Sequence, residues 1–157
     1  MKLSDILRPD HILLELQAED RWLAMEELLD HLIQVSQFPE EFREEVAHSL
    51  RQREALISTG VGGGVAIPHA FSAHVDDVVA VFGRSVQGID FDAQDRELVH
   101  FVVLFISPVQ PYQKHLHALA AIARMFTKPE CRELMMTADD VQQVYELFRH
   151  KVVAIKD

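Results

Sequence analysis

The stretch Ser58-Thr59-Gly60-Val61-Gly62-Gly63-Gly64-Val65-Ala66-Ile67-Pro68-His69 concentrates the residue types that could do chemistry. It holds four of the six glycines and ends on a histidine held by a proline. Glycine lacks the Cβ that keeps ligands off the main chain. Gly60, Gly62 and Gly64, beside the hydroxyls of Ser58 and Thr59, therefore suit a loop whose N–H groups approach an anion, or turns that need positive φ. Pro68 fixes its own φ, pushes Ile67 towards an extended conformation and presents His69 from a stiffened backbone. An unperturbed histidine has a pKa of about 6.5, so near neutral pH His69 offers a free lone pair with no base needed. These are the parts of a phosphohistidine site. The same residues also make an ordinary turn carrying a structural histidine, and the residue types alone leave both readings open.

Two further side chains are positioned by helical spacing. Phe38-Pro39-Glu40-Glu41 opens a helix, with proline early and carboxylates in the first turn, where the dipole favours them. Phe42, Val46 and Leu50 form its apolar stripe. Arg53 projects into the same sector, Arg43 lies at its edge and Arg51 points away. An inward arginine needs an acceptor; the competing reading is a frayed helix end at which Arg53 pairs with Glu54 or water. A later helix, Pro111 to Phe126, buries Tyr112, Leu116, Leu119, Ile122, Ala123 and Phe126 on one side. His115 falls in that sector, either reaching a site or sitting in the core on a main-chain acceptor. His117 lies on the solvated face.

The remaining elements carry these groups. His11 to Leu16 reads as a short strand, Glu19 to about Gln34 as a helix with Met25, Leu28, Leu29, Leu32 and Ile33 on one face, Val78 to Gly83 as a strand, and Leu98 to Ile106 as a strand buried on both sides. Gln87 to Arg96 is polar and turn-rich. Pro129 to Met136 and Asp139 to about Phe148 are short helices, and 151–157 reads as a loosely held tail. Strands alternating with helices indicate an α/β domain whose helices cover a central sheet. No repeat or linker divides the chain, so 1–157 reads as a single domain with an ordered core over about 1–150.

Composition narrows the function. A net charge of −10 disfavours nucleic acid and anionic membrane as partners and favours a basic protein. The single cysteine, Cys131, reads as a small buried residue in a reducing compartment. The N-terminus lacks a signal-peptide run, and the longest apolar run, Phe101 to Ile106, is far below the ~20 residues of a membrane helix, so a cytoplasmic location is expected. No metal is implied, because the histidines lack paired ligand spacing and His74-Val75-Asp76-Asp77 reads as a solvated loop. The glycine run is not followed by Gly-Lys-Ser/Thr, which argues against a nucleotide loop, and no cofactor is expected.

Ser-Thr-Gly-Val-Gly-x-Gly-Val-Ala-Ile-Pro-His resembles the active-site segment of the enzyme IIA domains of the bacterial sugar phosphotransferase system (PTS), type 2, the fructose-mannitol class that includes the nitrogen-regulatory IIA proteins. The similarity continues through Gly88-Ile89-Asp90-Phe91-Asp92-Ala93, Phe101 to Ser107 and Lys114-His115-Leu116. The resemblance implies a mixed sheet sandwiched by helices. It implies that His69 accepts a phosphoryl group from an HPr-type histidine phosphocarrier, and that Arg53, 16 residues before it, steadies that group. It makes His115 the second histidine of the site, which orients His69 or donates to the phosphoryl group. The onward partner is an EIIB component or a regulatory target. The alternative is a regulatory binding module that controls a transporter or kinase by contact, and a third reading is a relative that is never phosphorylated. Ala70-Phe71 departs from the family pattern, and an exposed Phe71 would add apolar area beside the site.

Overall fold

The computed structural model describes residues 2–150; the tail expected at 151–157 lies outside them. The chain runs α1 (Leu3–Ile6), β1 (Ile12–Leu13), α2 (Arg21–Gln34), α3 (Arg43–Leu56), β2 (Gly60–Gly62), β3 (Val65–Ala66), β4 (His69–Phe71), β5 (Val79–Ile89), β6 (Val99–Ser107), α4 (Tyr112–Phe126), α5 (Pro129–Thr137) and α6 (Val141–His150). One sheet has the order β1-β5-β6-β3-β2, and β4 joins β6 further along the edge that β3 occupies. β1 runs parallel to β5, and both β3 and β4 run parallel to β6. β5 is antiparallel to β6, as is β2 to β3. The sheet is therefore mixed, as expected.

β6 explains why the apolar run lacks alternation. Phe101, Val103 and Phe105 face a core shared with α1, α4, α5 and α6, while Val102, Leu104 and Ile106 face a second core under α2 and α3. A strand buried on both faces has no side left for polar residues. Helices thus cover both faces. Cys131 is buried in the first core, where burial pushes its thiol up to about 11. Among the described residues, no helix is long and apolar enough to cross a membrane.

Local signals set the helix ends. Asp20 caps α2, its side chain accepting from the Leu23 N–H at 2.8 Å. The two proline-led helices begin where a missing N–H costs no bond: Pro129 opens α5 and Pro111 precedes α4.

Three expected elements differ. The first strand spans only Ile12–Leu13, because Pro9–His11 form a 3₁₀ turn held by a bond between His11 Nδ1 and the Ile6 carbonyl at 2.8 Å. β5 continues to Ile89, past a register shift between Arg84 and Ile89, so part of the polar stretch after Gly83 is strand. The glycine stretch is a hairpin, not an open loop. β2 and β3 pair across a two-residue turn, Gly63–Gly64, with φ of +67° and +81°. Positive φ at both central residues matches the twist of the strands and favours glycine.

Candidate functional site

The hairpin delivers Ile67 and Pro68 to the sheet and sets β4 beside the end of β6, with His69 opposite Phe105 and Phe71 opposite Ser107. The Phe105 N–H donates to the Pro68 carbonyl at 3.1 Å, so the proline, which has no N–H of its own, is held through its oxygen. His69 is therefore a strand residue, its ring against Phe105 with centroids 5.2 Å apart. His69 Nδ1 lies 2.7 Å from the Ile67 carbonyl. A carbonyl only accepts, so Nδ1 carries the hydrogen and Nε2 keeps the lone pair. Nε2 has no hydrogen-bond partner among the described residues, and His69 is only partly buried.

His115, in the first turn of α4, meets His69 edge to face with ring centroids 5.0 Å apart. Its Nδ1 lies 3.0 Å from Ser107 Oγ, and its ring packs on Phe71 at 4.2 Å and Phe105 at 5.1 Å. Ser49, Arg53, His69, Ala70, Phe71, Tyr112 and His115 line one open cleft of about 380 Å³. Ser49 and Arg53 are four residues apart and share a face of α3. Arg53 is half-exposed, and its Nη1 donates to the Ile57 carbonyl at 2.7 Å, which holds the guanidinium over the helix end.

Burial pulls His69 below the ordinary histidine range, and the Arg53 charge adds to this. The Ile67 carbonyl bond and the Glu54 charge oppose it. Burial, with His69 adding to it, pushes His115 down to about 4. Both rings are neutral at pH 7, one with a free lone pair in a cleft that also holds a cation. Such a cleft can attack an electrophile that carries negative charge.

The structure brings together His69, His115 and Arg53 from three separate stretches. Ser58, Thr59, Gly60, Gly62 and Gly64 do not line the cleft. Their polar groups serve the fold. Ser58 Oγ donates to the Phe91 carbonyl and accepts from the Gly60 N–H, and the Thr59 N–H and hydroxyl both donate to Glu54. The Gly63 N–H donates to Asp95 Oδ2 at 3.0 Å. Gly60 is needed for close approach, since a Cβ there would lie 2.7 Å from Ala93 Cβ.

The charged residue that turns fully inward at the end of α3 is Glu54, not Arg53. Val46, Ala47, Leu50 and Glu54 form the buried face, an i, i+4 ladder that passes one residue beyond Arg53. Glu54 is 2% exposed, and its other neighbour is Arg21, 3.5 Å away. Sequence reasoning missed Glu54, Ser49 and Ser107. The i−4 spacing from Arg53 was the available signal for Ser49; nothing local marks Ser107. His117 is exposed, as expected. His74 stacks on Phe42 and bonds Glu45 at 3.1 Å, which gives it a local partner.

Comparison with known proteins agrees with this geometry. A nitrogen regulatory protein of Bradyrhizobium diazoefficiens is 32% identical over 147 residues, 94% of each chain. The crystal structure of nitrogen regulatory protein IIA-Ntr from Neisseria meningitidis superposes with a TM-score of 0.84 at 30% identity, covering 93% of this chain and 98% of that one. The PTS system fructose-specific EIIABC component of Bacillus subtilis is 26% identical over 147 residues; the match takes in 94% of this chain but only 23% of that longer protein. Residues 5–151 match the family model described as phosphoenolpyruvate-dependent sugar phosphotransferase system, EIIA 2. With the match running over nearly the whole chain, and with its histidine pair and arginine gathered in one cleft, this chain belongs to the EIIA type 2 family of the phosphoenolpyruvate-dependent sugar phosphotransferase system.

Proposed function

We propose that this chain is a phosphohistidine carrier in which Nε2 of His69 takes a phosphoryl group from the phosphohistidine of an HPr-type carrier and hands it to an acceptor. The observation that carries the reading is the 2.7 Å bond between His69 Nδ1–H and the Ile67 carbonyl. It leaves Nε2 as the nucleophile and holds the ring's orientation. The Nε2 lone pair forms a bond to phosphorus as the donor's N–P bond breaks, and the donor imidazole leaves with that electron pair. His69 keeps its Nδ1 hydrogen throughout. Positive charge that develops on its ring is stabilised by the Ile67 carbonyl dipole.

Transfer between two imidazoles needs alignment and charge stabilisation more than acid or base help. Arg53 shares the cleft and carries the charge and planar fork suited to two phosphoryl oxygens. His115, neutral and edge-on to His69, suits donation of one further hydrogen bond to a phosphoryl oxygen. The Ser49 hydroxyl lines the same cleft and suits a third once its hydrogen turns from the Glu45 carbonyl, 3.3 Å away, to the phosphoryl group. The hairpin's contribution is the support of β4.

The fructose-specific relative combines EIIA with B and C components by its name, and by that analogy the onward acceptor is an EIIB component. The nitrogen regulatory relative of Bradyrhizobium diazoefficiens is matched over 94% of each chain, and by that analogy a regulatory target takes the place of the EIIB component. In that second reading the phosphoryl group at His69 changes the protein's grip on a transporter or kinase.

The test is intact-mass measurement after incubation with phosphoenolpyruvate, enzyme I and HPr, with His69→Ala in parallel. The expected result is one acid-labile phosphoryl group on the natural chain and none on the variant. Equal phosphorylation of both would overturn the assignment of His69. No phosphorylation of either by cognate carriers would leave the chain a binding module without phosphoryl chemistry.

A further inference from the structure

We propose that Ser107 is a positioning residue that fixes the tautomer of His115, donating its hydroxyl hydrogen to Nδ1 so that Nε2–H of His115 faces the phosphoryl group. The inference rests on the reading of His69 as the acceptor, and its structural half stands without it.

Ser107 ends β6 and is 0% exposed. Its carbonyl already accepts from the Ser72 N–H at 2.9 Å, which continues the pairing of β6 with β4. Its side chain has one hydrogen-bond partner among the described residues, His115 Nδ1 at 3.0 Å. Two arrangements fit that distance. If Nδ1–H donated, the hydroxyl hydrogen would be left in the interior with no acceptor, and buried hydroxyls are rarely left so. Nε2 would then turn a lone pair towards incoming phosphoryl oxygens, which repel it. If the hydroxyl donates, both problems vanish: Ser107 is satisfied and Nε2 carries the hydrogen.

His115 Nε2 makes no hydrogen bond among the described residues and is not sealed from the surface, and its residue lines the cleft with His69 and Arg53. Phe71 and Phe105 pack the ring, which leaves Ser107 to decide its protonation pattern. Because burial holds His115 neutral at pH 7, it has one ring hydrogen, and the choice of nitrogen decides whether it attracts or repels the group on His69. The relay runs from the hydroxyl on β6, through the imidazole on α4, to the phosphoryl group on β4.

The test is a long-range 1H–15N correlation on the uniformly labelled full chain at pH 7, which distinguishes protonated from unprotonated ring nitrogens. The expected result for the natural protein is His115 with Nδ1 unprotonated and Nε2 protonated; the reverse pattern overturns the proposal and requires no variant. In Ser107→Ala, the tautomer balance is expected to move towards Nδ1–H. Phosphoryl acceptance from 32P-labelled HPr should slow by about tenfold, the loss of one hydrogen bond to a charged group. Ser107→Thr keeps the hydroxyl and is expected to restore both readouts. A Ser107→Ala variant with the natural tautomer, or with an altered tautomer and an unchanged rate, overturns it. If His69→Ala still accepts the phosphoryl group, the acceptor reading fails, and the tautomer result is judged on the spectrum of the natural protein alone.

Discussion

Removing the Glu54 carboxylate separates the support of the hairpin from the chemistry of the cleft. Glu54 Oε2 accepts from the Thr59 N–H at 3.0 Å, and Oε1 accepts from the Thr59 hydroxyl. Thr59 is 3% exposed, so water does not replace the lost acceptor. Hydrogen bonds to charged groups are worth about 1.5–3 kcal/mol each, so losing both in Glu54→Ala should cost about 3–6 kcal/mol. Arg21 adds little to this sum. Its Nη1 is 3.5 Å from Glu54, and it also donates to the Phe91 carbonyl at 3.0 Å, a bond the variant keeps. Domains of this size are stable by about 5–15 kcal/mol, so the loss takes about a fifth of the total or more. With a urea dependence of about 2 kcal/mol per molar, the midpoint should fall by roughly 2 M. Glu54→Gln keeps one carbonyl acceptor and should cost about half as much. Trp22 is the only tryptophan, and Arg21 lies over its ring at 4.5 Å, so its fluorescence reports the transition beside the site of change. Thr59→Val completes a double-mutant cycle in which the two changes should be strongly non-additive, by at least about 1.5 kcal/mol. Additive changes, or a Glu54→Ala midpoint within about 0.3 M of the natural protein, would refute the claim that this carboxylate anchors the hairpin.

Arg53→Lys should slow phosphoryl acceptance by about ten- to a hundredfold while leaving the urea midpoint unchanged, because it loses the planar fork but little packing. Rapid-quench kinetics with labelled HPr check this, and a rate within about twofold of the natural protein would exclude a direct role. The acceptance rate should be level from pH 8 down through the ordinary histidine value of 6.5 and fall only below it, since burial pulls His69 down and the neutral ring is the nucleophile. A midpoint at or above 6.5, by rate or by NMR titration, contradicts the described environment. His115 acts on stability in the same direction. Its value falls from 6.5 to about 4 on folding, so the unfolded chain binds the extra proton first. Its effect is absent above 6.5, and stability declines as pH falls from there to about 4. One proton limits the slope to about 1.4 kcal/mol per pH unit. His115→Phe should flatten that slope in urea titrations.

Much of the architecture was legible because burial writes period and composition into a chain. The unbroken apolar run of β6 announced a strand covered on both sides, and the 3.6-residue spacing of α2 announced its buried face. On α4 the same spacing placed Ile122 and Phe126 inside correctly but also Tyr112 and Leu116, which are exposed; the buried face runs instead through His115, Ala118, Ile122 and Met125. The wheel also separated His115 from His117 correctly, since one helix face is a local property. It was less decisive for Arg53, because a stripe advancing by four residues from Val46 to Leu50 reaches Glu54 and not Arg53. The glycine run was legible as a need for special backbone but not as which need. Positive φ in a hairpin turn and close approach to a phosphate both select glycine, and only the pairing of β2 with β3 distinguishes them.

The sequence by itself determined the class of fold, the presence of one stiffly presented histidine and, through its motif, the family. These are carried by contiguous residues, whose spacing survives without knowledge of the rest of the chain. The tertiary structure decided which nitrogen of His69 is free, because that depends on where the Ile67 carbonyl points after Pro68. It also decided that Arg53 and Ser49 from α3, His115 from α4 and His69 from β4 share one cleft, and that Ser107 meets His115 across the end of the sheet. Contacts between residues far apart in the chain follow from strand order and helix packing, and local pattern carries no record of either.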